Sequence, residues 1–346
     1  MMLPPKNSHH FFRHHCYFFF LQPAAPSTLG QALKLHTTES IMPEFCSEDI
    51  PDLSGQVIIV TGGNAGLGYE TIRQLSRHNP ACIYLGARSR QKAEKAISDL
   101  QQENPKACPI DFLEIDLASF ASVKAAAVEF LSREHRLDIL VNNAGIMMVP
   151  EGVTKDGYEI QFGTNVLGTA LFTQLLLPVL QSTVKVNPQA RAVILCSAAH
   201  AQAPKNAYDN FDQFRSTISH WRTTARYTTS KLADIHYAKA LAERVQDIKI
   251  IPVHPGMVAT NLHHGSTGLF LKPFLNVAIS LFATPLAKGA LSQIWASVSP
   301  EAKTGEYYGP VGKAESGSKL AQDHDLQERV FRYIQAQLDG HVDTFP

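Results

Sequence analysis

Tyr227 and Lys231 stand four positions apart in the stretch RYTTSKLAD. On a helix, that spacing brings both side chains to one face. A free tyrosine titrates near ~10, so moving its proton at pH 7 faces a gap of about three units, or roughly 4 kcal/mol. An ammonium one turn away offsets much of that gap and makes Tyr227 a candidate acid or base toward a carbonyl or alcohol oxygen. A surface tyrosine and lysine on any amphipathic helix share the same spacing, so the pair needs company. Ser197 offers it at the end of the apolar run RAVILC, where its hydroxyl can bond the same oxygen or merely cap a strand end. His200 follows closely, but hydrolase chemistry of the Ser-His-Asp kind finds no G-x-S-x-G around Ser197. His200 reads as a residue lining the pocket or supporting it.

The second chemical signal is TGGNAGLGYE, residues 61–70, lying between the apolar run VIIV and a helix-like segment. Glycine loops of this kind hold phosphates because the backbone can approach closely. G-x-G-x-x-G finds no register, since its third glycine would fall on Thr71, and G-x-x-x-x-G-K-[ST] fails because Tyr69 follows Gly68. The loop therefore has to be judged by the elements around it.

Those elements alternate. VIIV (57–60), CIYLGA (82–87), IDFLEI (110–115), LDILVN (137–142), ARAVILCS (190–197) and IKIIPVH (248–254) are short buried runs separated by helix-length segments. Runs apolar on both faces and joined by helices predict an α/β fold, a single doubly wound Rossmann domain of about seven parallel strands with helices on both faces. The loop then joins the first strand to the first helix, where backbone N–H groups and a helix N-terminus of roughly +0.5 charge face a pyrophosphate. Ser197 falls at the carboxyl end of a central strand, where such sheets bind ligands.

The second strand's end argues for a particular dinucleotide. A preference for NAD generally needs an acid there to accept bonds from the adenosine ribose. Here the chain reads LGARSRQKAE, with no acid before Glu94. Arg88, aided by Arg90 or Lys92, can instead pair with a 2′-phosphate, so NADP (NADPH) is the expected cofactor. The loop positions Asn64 and Ala65 are not basic, which departs from many NADP users, and Arg88 also reads as a solvated cation at a helix start.

Composition excludes several alternatives. Of 346 residues, 45% are hydrophobic, enough for a sizeable core. Lys+Arg and Asp+Glu are 31 each, so no long-range field points to nucleic acid. The five cysteines are scattered without a C-x-x-C pair, which suggests reduced thiols and a cytoplasmic setting. Residues 1–50 read as a disordered N-terminal extension ahead of a domain over 51–346. No acid precedes Glu39, so a mitochondrial presequence is the alternative localisation, and a chain starting at Met42 would lose nothing the fold needs. HHFFRHH (9–15) lacks a carboxylate or cysteine framework, so no metal is expected. The run CYFFFL (16–21) is shorter than the ~20 residues of a spanning helix, and Lys272, Pro273 and Pro285 break the apolar stretch 267–287. No transmembrane span is expected.

Read together as T-G-x-x-x-G-x-G, the residues Thr61, Gly62, Gly66 and Gly68 resemble the short-chain dehydrogenase/reductase family. NNAG (142–145), Asn165, Ser197, Y-x-x-x-K at Tyr227 and Lys231, and HPGMVAT (254–260) follow in the family's order, over roughly residues 53–312. RAVILCSAAH and the long stretch before Tyr227 are most similar to the retinol-dehydrogenase-like group and related fungal reductases. The resemblance implies a catalytic set of Asn165, Ser197, Tyr227 and Lys231, with Asn165 supporting a water that reloads the lysine. It implies cofactor contacts from Thr61, Gly62, Asn64, Gly66, Leu67, Gly68, Asp116 (adenine), Asn143 (adenosine), Tyr227, Lys231 (nicotinamide ribose) and Thr260 (carboxamide). It also implies a substrate-covering segment near 261–290, hence an apolar ketone, aldehyde or alcohol substrate. The expected direction is reductive, because NADPH pools generally favour it. A dimer-packing helix or a peripheral lipid contact are the other readings of that segment. Cys196 stands where serine is common in the family, and residues 201–214 form an expected insertion beside the pocket. A catalytically silent NADP(H)-binding regulator or scaffold is the alternative function.

Overall fold

The computed structural model describes residues 45–258 and 284–345. The expectations for residues 1–44, Met42 among them, for Thr260 and for most of the segment 261–290 fall outside these residues. The last residues of the expected extension are described: Ser47–Asp49 form a 3-10 turn and Ile50 is buried in a core, so the folded part begins before residue 51. Six strands form one parallel sheet: β1 (Val57–Thr61), β2 (Cys82–Ala87), β3 (Ile110–Glu114), β4 (Ile139–Asn142), β5 (Arg191–Leu195) and β6 (Lys249–Val253). Their order is β3-β2-β1-β4-β5-β6, so the direction of winding reverses between β1 and β4. Ligands in such sheets bind at that reversal, outside the carboxyl ends of the strands.

About seven strands were expected, and the described residues contain six. Where a seventh would lie, Tyr308 makes a single parallel bridge to Val253. Its amide donates to the Pro252 carbonyl at 3.0 Å and its carbonyl accepts from His254 N–H at 2.9 Å. Nearby, Gly305 N–H also donates to the Ile250 carbonyl of β6 at 2.8 Å. Pro310, two residues beyond Tyr308, has no N–H to continue the pairing.

Strand alternation sends side chains to two cores. Ile58, Val60, Ile83, Leu85, Ile139 and Val141 pack with α1 (Gly66–Leu75), α2 (Arg90–Glu103) and Ala290 and Ile294 of a later helix, Leu286–Val298. Ile59, Tyr84, Leu140 and Ile194 pack on the other face with α3 (Phe120–Arg133), α4 (Ile160–Val184) and α5 (Thr223–Arg244). The helices Leu286–Val298 and His324–Leu338 are α6 and α7. Among the described residues only α4 is long and apolar enough to cross a membrane, with a mean hydropathy of 1.4. Since 89% of its apolar window is buried, it is a core helix here.

The stretch before α5 is built from two short 3-10 turns, Ala198–Gln202 and Phe211–Arg215. Phe214 stacks on Phe162 with ring centroids 4.0 Å apart, and the Tyr208 hydroxyl donates to the Thr229 carbonyl at 2.7 Å. These contacts fasten the insertion to α4 and α5, the two helices that carry Asn165, Tyr227 and Lys231.

Candidate active site

A cavity of ≈ 950 Å³ lies over the carboxyl ends of the central strands. It brings together Gly62, Asn64, Gly66, Leu67, Arg88, Asp116, Asn143, Ser197, Tyr227 and Lys231, which are scattered in sequence. Thr61, Gly68 and Asn165 stand behind its wall, and Thr260 lies outside the described residues. Sequence reasoning missed much of the lining, notably Met147, Val149, Pro150, Ile160, Met257 and Val258. Apart from Ile160, which opens α4, these residues come from loops, where no periodicity marks a buried face. A smaller hollow of ≈ 280 Å³ between the insertion and the start of α5 shares Gln202 with this cavity but contains none of the expected site residues.

At the loop end, the backbone does the shaping. Gly66 has φ +58°, and a Cβ there would meet nothing within 4 Å, so its open side is space for a ligand's close approach. A Cβ on residue 68 would instead stand 2.5 Å from the Gly62 carbonyl oxygen, so only glycine lets α1 start this near the turn. The N-cap of α1, Ala65, provides no side-chain cap, leaving the first helical N–H groups for an anion. Thr61 and Asn143 brace the loop. The Thr61 hydroxyl accepts from Ala144 N–H at 3.0 Å, and the Asn143 amide donates to the Thr61 carbonyl at 2.8 Å. Gln293 on α6 donates to Thr71 at 2.6 Å and reaches Asn143 Oδ1 at 3.3 Å, a support no motif announced.

Farther along the cavity, Arg88 is exposed, and no acid among the described residues pairs with it. Arg90 differs, because it turns to Glu114 (3.4 Å) and Glu94 (3.7 Å) and lies over the Phe112 ring, away from the cavity. Arg90 is thus held by three local partners and is absent from the cavity lining that includes Arg88. Asp116 accepts from Ala118 N–H at 3.1 Å and stands 3.8 Å from Lys155, so its carboxylate also holds its own turn.

Asn165 lies in a widened π-turn of α4, Gly163–Gly168, a distortion that recurs at functional sites. Its Oδ1 accepts from Ile146 N–H at 2.8 Å, while its Nδ2 donates to the Ile146 carbonyl and to Ser230 Oγ, both at 3.0 Å. Asn165 thus ties the loop after β4 to the helix bearing Lys231. Tyr227 is 6% exposed, lines the cavity, and its hydroxyl makes no hydrogen bond among the described residues. The Lys231 ammonium donates to the Leu195 carbonyl and to Asp234, each at 2.8 Å. Burial alone would lower its pKa, but the Asp234 charge, then Tyr227, outweigh it and hold it above the ordinary lysine value. Directly before Tyr227, Arg226 forms a buried pair with Glu159 at 3.3 Å, and Glu159 also caps the N-terminus of α4 through Gln161 and Phe162 N–H.

Ser197 Oγ accepts from Ala199 N–H at 3.2 Å, so it does cap a 3-10 turn while lining the cavity. His200 is 4% exposed and absent from the lining. Its Nε2 accepts from Ser318 N–H at 3.0 Å, which leaves Nδ1 to donate to the Ser197 carbonyl at 2.8 Å. Burial depresses its pKa. With both nitrogens committed to backbone, His200 cannot serve the Ser197 hydroxyl as a base and acts as a support. Cys196 is buried, its Sγ 3.5 Å from the Ile194 carbonyl.

The family model for short chain dehydrogenases matches residues 56–208. A short-chain dehydrogenase/reductase of Armillaria gallica is 38% identical over 302 residues, 85% of this chain and 94% of that one. Retinol dehydrogenase 14 of Homo sapiens is 36% identical over 297 residues, 81% of this chain and 85% of its own. A solved protein of Mycobacterium paratuberculosis shares the fold with a TM-score of 0.65 and 25% identity, covering 85% of this chain and 97% of that one.

Proposed function

Because the chain belongs to the short-chain dehydrogenase/reductase family, we propose that it is an NADP(H)-dependent oxidoreductase interconverting an apolar ketone or aldehyde with its alcohol. The observation that carries this reading is that one cavity joins an uncapped helix N-terminus and Arg88, which pairs with no acid among the described residues, to Ser197, Tyr227 and Lys231. The donor set fits the dinucleotide. The N–H groups opening α1 take the pyrophosphate, Arg88 takes the 2′-phosphate, and Lys231 takes the nicotinamide ribose.

When bound, the reduced nicotinamide supplies the hydride. The chain's residues handle the oxygen. Ser197 Oγ donates to the substrate carbonyl and holds it beside Tyr227, which gives up its hydroxyl proton as the oxygen gains charge. The Lys231 ammonium lowers the cost of the resulting phenolate, and Asn165 keeps the Lys231 helix in register with the loop after β4. Met147, Val149, Pro150 and Ile160 make the far wall apolar, which supports an apolar substrate. The reductive direction rests on the general excess of NADPH in cells.

NADPH consumption across a panel of carbonyl compounds tests this reading. Turnover of at least one apolar carbonyl, lost in Tyr227→Phe with NADPH binding retained, is expected. Binding of NADPH with no turnover across the panel would favour the silent regulator instead.

A further inference from the structure

Asp234 lies one helical turn beyond Lys231, outside the Y-x-x-x-K motif, and is 2% exposed. It is absent from the cavity wall and meets the site only through the Lys231 ammonium, at 2.8 Å. The same ammonium donates to the Leu195 carbonyl at 2.8 Å. An ammonium has three N–H groups, so these two acceptors leave one. Lys231 lines the cavity, and its Nζ sits 3.7 Å from where a Cβ on Gly145 would stand, so the remaining N–H faces the cavity.

We propose that Asp234 is a positioning residue, a built-in counterion that aims the single free N–H of Lys231 at the ribose hydroxyls of the dinucleotide. The inference rests on the proposed oxidoreductase reading. Among the described residues, the titratable groups facing Asp234 are Lys231 on its own helix, Cys196 after β5 and Tyr208 from the insertion. Only Lys231 among them is cationic. Burial pushes the Asp234 carboxyl up to about 6 against the pull of Lys231. The carboxylate is therefore present above pH 6 and is lost as pH falls through that value, whereas Lys231 stays charged throughout. A protonated Asp234 leaves the ammonium without its countercharge and free to swing, so dinucleotide affinity weakens on the acid side.

NADH is the clean probe, because it lacks the 2′-phosphate that titrates in the same range. Wild-type affinity for NADH, measured by fluorescence from pH 5 to 8, should fall several-fold below pH 6. Asp234→Asn at pH 7 should match the wild type at pH 5, about tenfold weaker, with a flat profile, and Asp234→Glu should restore much of the slope. An Asp234→Asn profile identical to the wild type would overturn the inference while leaving the oxidoreductase reading standing. Wild-type protein that binds neither NADH nor NADPH would overturn both. Carbon NMR of aspartate-labelled wild-type protein needs no variant to fold. It should show one carboxyl titrating near pH 6 whose midpoint moves when NADH is added, and the absence of such a signal would refute the proposal.

Discussion

Between Thr61 and Asn143 the cavity wall is held by neutral hydrogen bonds between side chains and backbone, whereas around Tyr227 it is held by two ion pairs, Glu159–Arg226 and Lys231–Asp234. All four charged side chains are less than a tenth exposed. The loop end has to match a ligand of fixed shape, and glycines with braced carbonyls supply that shape without charge. The tyrosine end has to favour an ammonium and a phenolate away from water, and a preorganised charge nearby does this at low reorganisation cost. Neutral bonds to backbone contribute about 1 kcal/mol each, whereas removing one member of a buried pair costs roughly 3–5 kcal/mol. The tyrosine end is therefore the more brittle of the two.

The largest effect expected separates chemistry from architecture within that brittle end. Tyr227→Phe removes only a hydroxyl that no described residue bonds, so the melting temperature should hold while turnover falls about 10²–10⁴-fold. Steady-state rates with NADPH, beside a thermal melt, check it. Loss of folding instead would mean that Tyr227 belongs to the structural framework. Next comes Glu159→Gln, which strands the Arg226 guanidinium and should lower stability by about 3–5 kcal/mol in a denaturant titration. The double change Glu159→Gln with Arg226→Met should recover a good part of that loss. If the single change costs no more than Asn143→Ala, the contrast between the two ends is wrong.

The two ends also differed in how far they could be read from sequence. The loop was legible because positions such as 66 and 68 need glycine for backbone reasons, and such demands leave a fixed spacing. Tyr227 and Lys231 were legible because one helix carries both. Asp234 shares that helix, yet an acid three residues from a lysine looks like any solvated helical pair until burial is known. Glu159 and Arg226 lie on different helices, so only the packed fold pairs them. His200 was ambiguous because its two shorter bonds, to the carbonyl of Ser197 and from the amide of Ser318, involve backbone atoms that carry no residue signature, and its third partner, the Tyr307 hydroxyl at 3.4 Å, is 107 positions away. The strand runs were read almost to the residue, since parallel strands buried on both faces are continuous apolar segments. The isolated bridge at Tyr308 left no such signal, because a single paired residue has no period to detect.

At the loop end, Arg88 and Arg90 give the finest test, since two arginines two residues apart stand in different surroundings. Arg88→Asp should weaken NADPH by roughly 1.5–3 kcal/mol, about 10–150-fold, and leave NADH much less affected, as read by the ratio of their dissociation constants. Equal losses for both would remove the 2′-phosphate assignment.

The smallest effect belongs to Arg90. Its side chain is 62% exposed, and its pairs with Glu94 and Glu114 are surface contacts worth about 0.2–1 kcal/mol. Its stacking over Phe112 adds a comparable amount at an exposed site. Arg90→Ala should therefore lower stability by about 1 kcal/mol, more at low salt than at high, and leave the NADPH-to-NADH ratio where it was. If that ratio moves as far as it does in Arg88→Asp, Arg90 leaves Glu114 when the dinucleotide binds. The 2′-phosphate would then be held by a pair of arginines, and the division between a shaped end and a charged end would no longer separate the cofactor from the chemistry.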